Sequence, residues 1–150
     1  MLAPRKLGHV GIYVRDLEKS KKFYEDVVGL KVSDVLPGKA VFMRCGRDHH
    51  DTVLFQLAAA KSDRSQTDRV ELQQISYEVD RLDDLHRKAA ELKAGGITVA
   101  GPEQKGPGMD KTIEFSDPDG NRIQFYCDMD QVGWDDRSRP PEQWRRQENL

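Results

Sequence analysis

Three observations predict an α+β fold built from two copies of one module. The stretch "HVGIYVRDL", His9 to Leu17, returns as "QISYEVDRL", Gln74 to Leu82, 65 positions later (74 − 9 = 65). Each copy alternates apolar and polar side chains like a half-buried strand, then runs straight into a helix start. Each is followed by three further strand-like runs, so both halves read strand, helix, strand, strand, strand. A module with three consecutive strands has a sheet face to bury, and the second copy is the obvious partner.

The elements follow in order. Leu7 to Val14 is the first strand, and Asp16 is placed to cap a helix through "LEKSKKFYEDVV". Leu17, Phe23, Tyr24 and Val27 share one broad face, and Gly29 supplies the stop. "KVSDVL", "KAVFMRC" and "DTVLFQLA" are strands parted by the turn-like "PGK" and "GRDHH". In the second half "LQQISYEV" is a strand, and "LDDLHRKAAELKA" is a helix with Leu82, Leu85, Ala89 and Leu92 at helical spacing. Gly95 and Gly96 end it. "ITVAG" reads as a strand and "PEQKGPGMD" as a loop. "KTIEF" and "RIQFYCD" are strands joined by "DPDGN", in which proline presets φ and glycine accepts a positive φ. The chain thus divides into a first module over 1–58, a polar linker over 59–70, a second module over 71–128 and a polar arm over 129–150. That arm contains Trp134 and Trp144. It either packs its aromatics on its own domain or reaches across a dimer.

Composition narrows the function classes. The 24 Lys and Arg are dispersed among 26 Asp and Glu for a net charge of −2, which is not the footprint of a nucleic-acid binder. No apolar run approaches the roughly 20 residues of a membrane span. "MLAPRKLGHV" lacks an apolar signal core, so a cytoplasmic protein is expected. Cys45 and Cys127 lie in apolar strand-like runs and are expected as buried thiols, with a disulfide the open alternative.

The paired order, together with "GHVGIYVRDLEKSKKFYEDVVGL", "YEVDRLDDL" and "DPDGNRIQFY", resembles the vicinal oxygen chelate superfamily over about residues 7 to 127. That superfamily includes glyoxalases, extradiol dioxygenases and bleomycin-binding proteins. The resemblance implies two paired βαβββ modules forming a cup-shaped curved mixed sheet, with metal ligands projecting inward from the first and last strands of each module. "CGRDHHDTVLFQL" is similar to the extradiol dioxygenase branch, which makes His50, followed by Asp51, a catalytic acid–base group. His9 matches the first metal ligand. The second falls on Gln74 of the Gln73-Gln74 pair, where dioxygenases carry histidine. The third falls on Gln124 of "GNRIQFY", where they carry glutamate. Gln56 is the match for an additional ligand from the fourth strand, and alternation puts it on the face of Thr52 and Leu54. Glu114 stands where the dioxygenase pattern places a tyrosine, and "EQKGPGMDK" has no counterpart to an expected loop histidine.

A non-haem Fe(II) site of the oxygenase type uses two histidines and a carboxylate. The set His9, Gln74 and Gln124 keeps one imidazole and replaces the rest with neutral amides, which weakens divalent binding by orders of magnitude. Fe(II) or Mn(II), weakly bound or absent, is the cofactor implied by lineage. Two functions follow. One is a dioxygenase or glyoxalase-type enzyme acting on a small aromatic or vicinal-oxygen metabolite, with His50 moving protons. The other is a metal-free binding protein of the bleomycin-resistance kind, holding its ligand with Gln56, Gln73, Glu114 and the histidines. A third reading makes the chain an oligomerising subunit with a vestigial cup. The two amides at Gln74 and Gln124 can also simply satisfy one another. The resemblance also implies a homodimer and a small-molecule ligand, while the charge balance and the lack of a long apolar run give no expectation of nucleic acid or membrane as partner.

Overall fold

A computed structural model describes residues 7–57, 72–104, 108–131 and 139–150. The 59–70 linker and Trp134 lie outside the described residues. The chain divides into two compact units. The first is Met1–Val70 with Asp117–Asp119, and the second is Glu71–Ser116 with Gly120–Leu150.

In the first unit β1 (Val10–Val14) leads to α1 (Leu17–Phe23), a wider π-helical turn (Tyr24–Val28), then β2 (Lys31–Leu36), β3 (Ala40–Arg44) and β4 (Thr52–Gln56). Asp16 holds extended φ and accepts the Lys19 N–H at 2.9 Å, the capping role its position predicts. Gly29 ends the helical run in the left-handed conformation. The sheet order is β1-β4-β3-β2, with β1 and β4 parallel and the other pairs antiparallel. Ile12, Val14, Leu17, Tyr24, Leu30, Val41, Met43 and Leu54 are buried and form the core.

Asp117–Asp119, from the DPDG turn, completes this unit. The Tyr24 hydroxyl donates to Asp117 Oδ2 at 3.0 Å, with Tyr24 fully buried and Asp117 5% exposed. Asp119 accepts the Arg15 backbone N–H and its guanidinium, both at 3.0 Å, and lies within reach of the Ser20 hydroxyl.

The second unit repeats the plan with β5 (Ile75–Glu78), α2 (Leu82–Ala94), β6 (Ala100–Gln104), β7 (Lys111–Ser116) and β8 (Arg122–Cys127). Leu85, Ala89 and Leu92 of α2 are buried with Ile75, Ile113, Phe115, Ile123 and Phe125. A short strand β9 (Gln147–Glu148) joins the far edge, giving the order β5-β8-β7-β6-β9. Residues 147 and 148 of the C-terminal arm therefore pair with their own unit. Asp130 pairs with the Arg139 guanidinium, which holds its carboxyl below the usual range, and the Trp144 indole N–H donates to the Arg139 carbonyl.

Two expectations need correction. "ITVAG" is not the sixth strand: β6 starts at Ala100 and runs through Pro102 to Gln104. The ladder to β7 shifts register between Ala100 and Glu103, so the proline sits where no ladder N–H is required. Gly101 makes that possible at φ 87°, since a Cβ there would meet Thr112 O at 2.5 Å. The cysteines differ too. Cys127 is buried, but Cys45 falls past the end of β3 and is exposed, and both are free thiols. No described helix is long and apolar enough to cross a membrane.

Candidate functional site

Each sheet has a face turned away from the buried core of its unit, and the expected site residues other than Gln56 divide between these faces. In the first unit, strand alternation sets Gly11 and Tyr13 opposite to Ile12 and Val14. Register then adds Phe55 beside Tyr13 and Phe42 beside Val53. Phe55 lies over Gly11, where a Cβ would come within 2.9 Å of its ring, and its own ring stands 5.8 Å from Tyr13. Tyr13 is 56% and Phe55 38% exposed. His9 precedes β1 in the same alternation. Its ring centre is 4.7 Å from that of His50, and the His50 ring centre lies 5.2 Å from that of Phe42 in a T-shaped arrangement. The structure thus brings His9 and His50 together on an aromatic surface.

His50 is presented by the turn between β3 and β4, and Asp51 shapes that turn. Its Oδ2 accepts the backbone N–H of Cys45 at 2.8 Å and of Gly46 at 3.3 Å, and the Cys45 thiol at 3.1 Å. Burial, with the Asp51 carboxylate next, pushes the Cys45 thiol up to about 11. A carboxylate accepting several donors from one loop fixes the backbone that carries His49 and His50.

Gln56 has a different position. It follows Thr52 and Leu54 in the alternation, as expected, but that face is the buried one. Its Oε1 accepts the Leu17 N–H at 3.1 Å and its Nε2 donates to the Arg15 carbonyl at 2.8 Å. The amide therefore ties the end of β4 to the start of α1.

In the second unit the expected residues meet on one polar face. Ser76 pairs in register with Gln124, and Glu114 pairs with Gln124 on the other side. Gln74 Nε2 donates to Ser76 Oγ at 3.0 Å and to Gln124 Oε1 at 3.2 Å. Ser76 Oγ also donates to Gln124 Oε1, at 2.8 Å. Gln124 Nε2 then donates to Glu114 Oε1 at 3.3 Å, and Glu114 Oε2 lies 3.9 Å from the Arg122 guanidinium. Gln124 is only 6% exposed, so this satisfaction matters. Glu114 and Arg122 open on a cleft of about 420 Å³ beside Ile97, Thr98 and Ser116. Gln73 is exposed.

This half of the expected metal set does not fit a divalent ion as it stands. A carbonyl oxygen has two lone pairs, and those of Gln124 are both engaged by donors. Gln74 turns its amide N–H₂, which cannot ligate, toward the cluster. The nearby carboxylate, Glu114, is already engaged with Gln124 and Arg122. Among the described residues no three His, Cys, Asp or Glu side chains form a metal-holding group.

Sequence reasoning did not single out Ser76, Arg122 or Phe55. The signal for Ser76 was its two-residue spacing from Gln74, which puts both on one strand face. For Phe55 it was the side-chain-free Gly11 in the neighbouring strand.

Comparison with known proteins agrees with this architecture. A family model described as the Glyoxalase/Bleomycin resistance protein/Dioxygenase superfamily matches residues 6–125. Over 130 residues the chain is 32% identical to the manganese-dependent 2,3-dihydroxybiphenyl 1,2-dioxygenase of Geobacillus genomosp. 3, covering 83% of this chain and 37% of that protein. A 32-residue stretch is 53% identical to the mitochondrial methylmalonyl-CoA epimerase of Mus musculus, 21% of this chain and 18% of that one. The chain spans well under half the length of either relative. Lactoylglutathione lyase from Agrobacterium tumefaciens superposes with a TM-score of 0.64 at 24% identity, covering 82% of this chain and 93% of that one. A glyoxylase/bleomycin resistance protein/dioxygenase domain from Frankia sp. EAN1pec gives 0.65 at 22%, with 83% and 98% covered. With its repeated strand–helix–strand order, two mixed sheets and matched span, the chain belongs to the glyoxalase/bleomycin resistance protein/dioxygenase superfamily.

Proposed function

We propose that this chain binds a small aromatic or vicinal-oxygen metabolite without a tightly held divalent metal, using the strand faces turned away from its helices. The observation that carries the reading is the Gln124 amide, whose carbonyl is saturated by Ser76 and Gln74 and whose N–H₂ donates to Glu114. A cation there would have to break two hydrogen bonds of a nearly buried group, and leaving buried polar atoms unpaired costs about 1–3 kcal/mol each. The same face keeps capacity for a polar ligand. Gln74 Oε1 accepts no hydrogen bond among the described residues, and the Arg122 side chain is half exposed. On the first sheet Tyr13, Phe55, Phe42 and the imidazoles of His9 and His50 suit a planar ring. His50 is the group to move a proton if the ligand is turned over.

The likeness to a manganese-dependent dioxygenase favours a second reading, an enzyme with Fe(II) or Mn(II) on His9, Gln74 and Gln124. Metal stoichiometry separates the two. Protein incubated anaerobically with Fe(II) or Mn(II), desalted and assayed by elemental mass spectrometry should retain far less than one ion per chain. Catechols should still raise its melting temperature in the presence of a chelator. About one ion per chain, lost on His9→Ala, would establish the metal-dependent enzyme instead.

A further inference from the structure

His50 does not stand alone in its turn. Its Nδ1 lies 3.0 Å from Nδ1 of His49, and Nε2 of His49 lies 3.6 Å from Asp34 Oδ2 on β2. The three side chains form a line from carboxylate to imidazole to imidazole, and each link constrains the next. An ionised carboxylate can only accept, so its field favours the proton of neutral His49 on Nε2. A neutral imidazole with its proton on Nε2 has a bare Nδ1, which is then an acceptor. An Nδ1–Nδ1 contact of 3.0 Å holds only if one nitrogen donates and the other accepts. With His49 in that tautomer the donor is His50 Nδ1.

We propose that His49, backed by Asp34, is a positioning residue that fixes His50 in the Nδ1–H tautomer and so presents a bare Nε2 lone pair. The consequence for the binding face is specific. His50 Nε2 has no hydrogen-bond partner among the described residues, and the ring packs near those of His9 and Phe42, with centres 4.7 Å and 5.2 Å away. An imidazole so held meets an incoming hydroxyl as an acceptor rather than a donor, which selects ligands that offer an O–H. The free side chain in water favours the opposite tautomer, with the proton on Nε2, so the arrangement is imposed by neighbours. The inference deepens the acid–base role given to His50 above and rests on that reading for its functional meaning, but not for its test.

The test is ¹⁵N–¹H correlation of the histidine ring nitrogens in ligand-free protein, at a pH where the rings are neutral. Wild-type His50 should show a protonated Nδ1 and a bare Nε2. His49→Ala removes the acceptor and should invert the populations in favour of Nε2–H. His49→Asn keeps a carbonyl acceptor and should restore the Nδ1–H form. Asp34→Asn removes the bias on His49 and should shift His50 part of the way. His49 and Asp34 are both largely exposed, so these substitutions leave the core intact. Wild-type His50 already in the Nε2–H form, or a population unmoved by His49→Ala, would overturn the assignment. Because no ligand or turnover is involved, a failed ligand screen sinks only the binding reading, and a wrong tautomer sinks only this one.

Discussion

Cys45 shows how far a single side chain departs from its sequence context. It sits at the end of an apolar run, yet the strand stops at Arg44 and the thiol emerges into a turn, where it donates to Asp51. Burial and the carboxylate raise its pKa from 9.0 to about 11. The fold thus favours the neutral thiol, and this contribution to stability is intact below pH 9.0 and lost as pH rises through about 11. The thiolate is the nucleophile, but a higher pKa also makes it more reactive. Iodoacetamide at pH 8 should therefore label native Cys45 about tenfold more slowly than unfolded protein. Asp51→Asn should recover part of the rate, and equal native and unfolded rates would refute the Asp51 clamp. The same limit applies to the site. The family pattern implied that Gln74 and Gln124 share a site, but not that Glu114 would face them, since nothing in the sequence sets its orientation. That Ser76 would join them and saturate the Gln124 carbonyl was not legible either, because hydrogen-bond occupancy depends on rotamers that no spacing specifies.

At the scale of elements most of the fold was legible, for reasons that are local. Asp16 caps, Gly29 stops, and α2 spans the residues its apolar spacing marks, since these signals act within one or two turns. Strand β6 was not, because Pro102 reads as a breaker unless the partner strand supplies a register shift. Gln56 followed the expected alternation, but which sheet face holds the core is decided by packing. The turn Asp117–Asp119 is legible in its Asp-Pro-Asp-Gly chemistry, though not its docking on α1 and the π-helical turn that follows it. Tyr24→Phe tests that docking. It strips the hydroxyl from a nearly buried carboxylate and should cost about 1–3 kcal/mol in chemical denaturation. A change below a few tenths would mean the contact contributes little.

For the whole molecule, the duplicated architecture is established and the assembly is a prediction. A homodimer, implied by the family resemblance, should sediment at twice the chain mass of 17.1 kDa, and a single monomeric species at micromolar concentration would exclude it. The borrowed turn also bears on how the chain is made. Arg15 and Tyr24 find their partners 104 and 93 residues downstream. A ribosome releases residues 1–70 first, yet that segment lacks the carboxylates of Asp117 and Asp119 until the chain has been translated past them. The first unit must wait for the Asp117 partner of its buried tyrosine hydroxyl and the Asp119 partner of Arg15, so its finished state is expected only after the turn of the second half has been made.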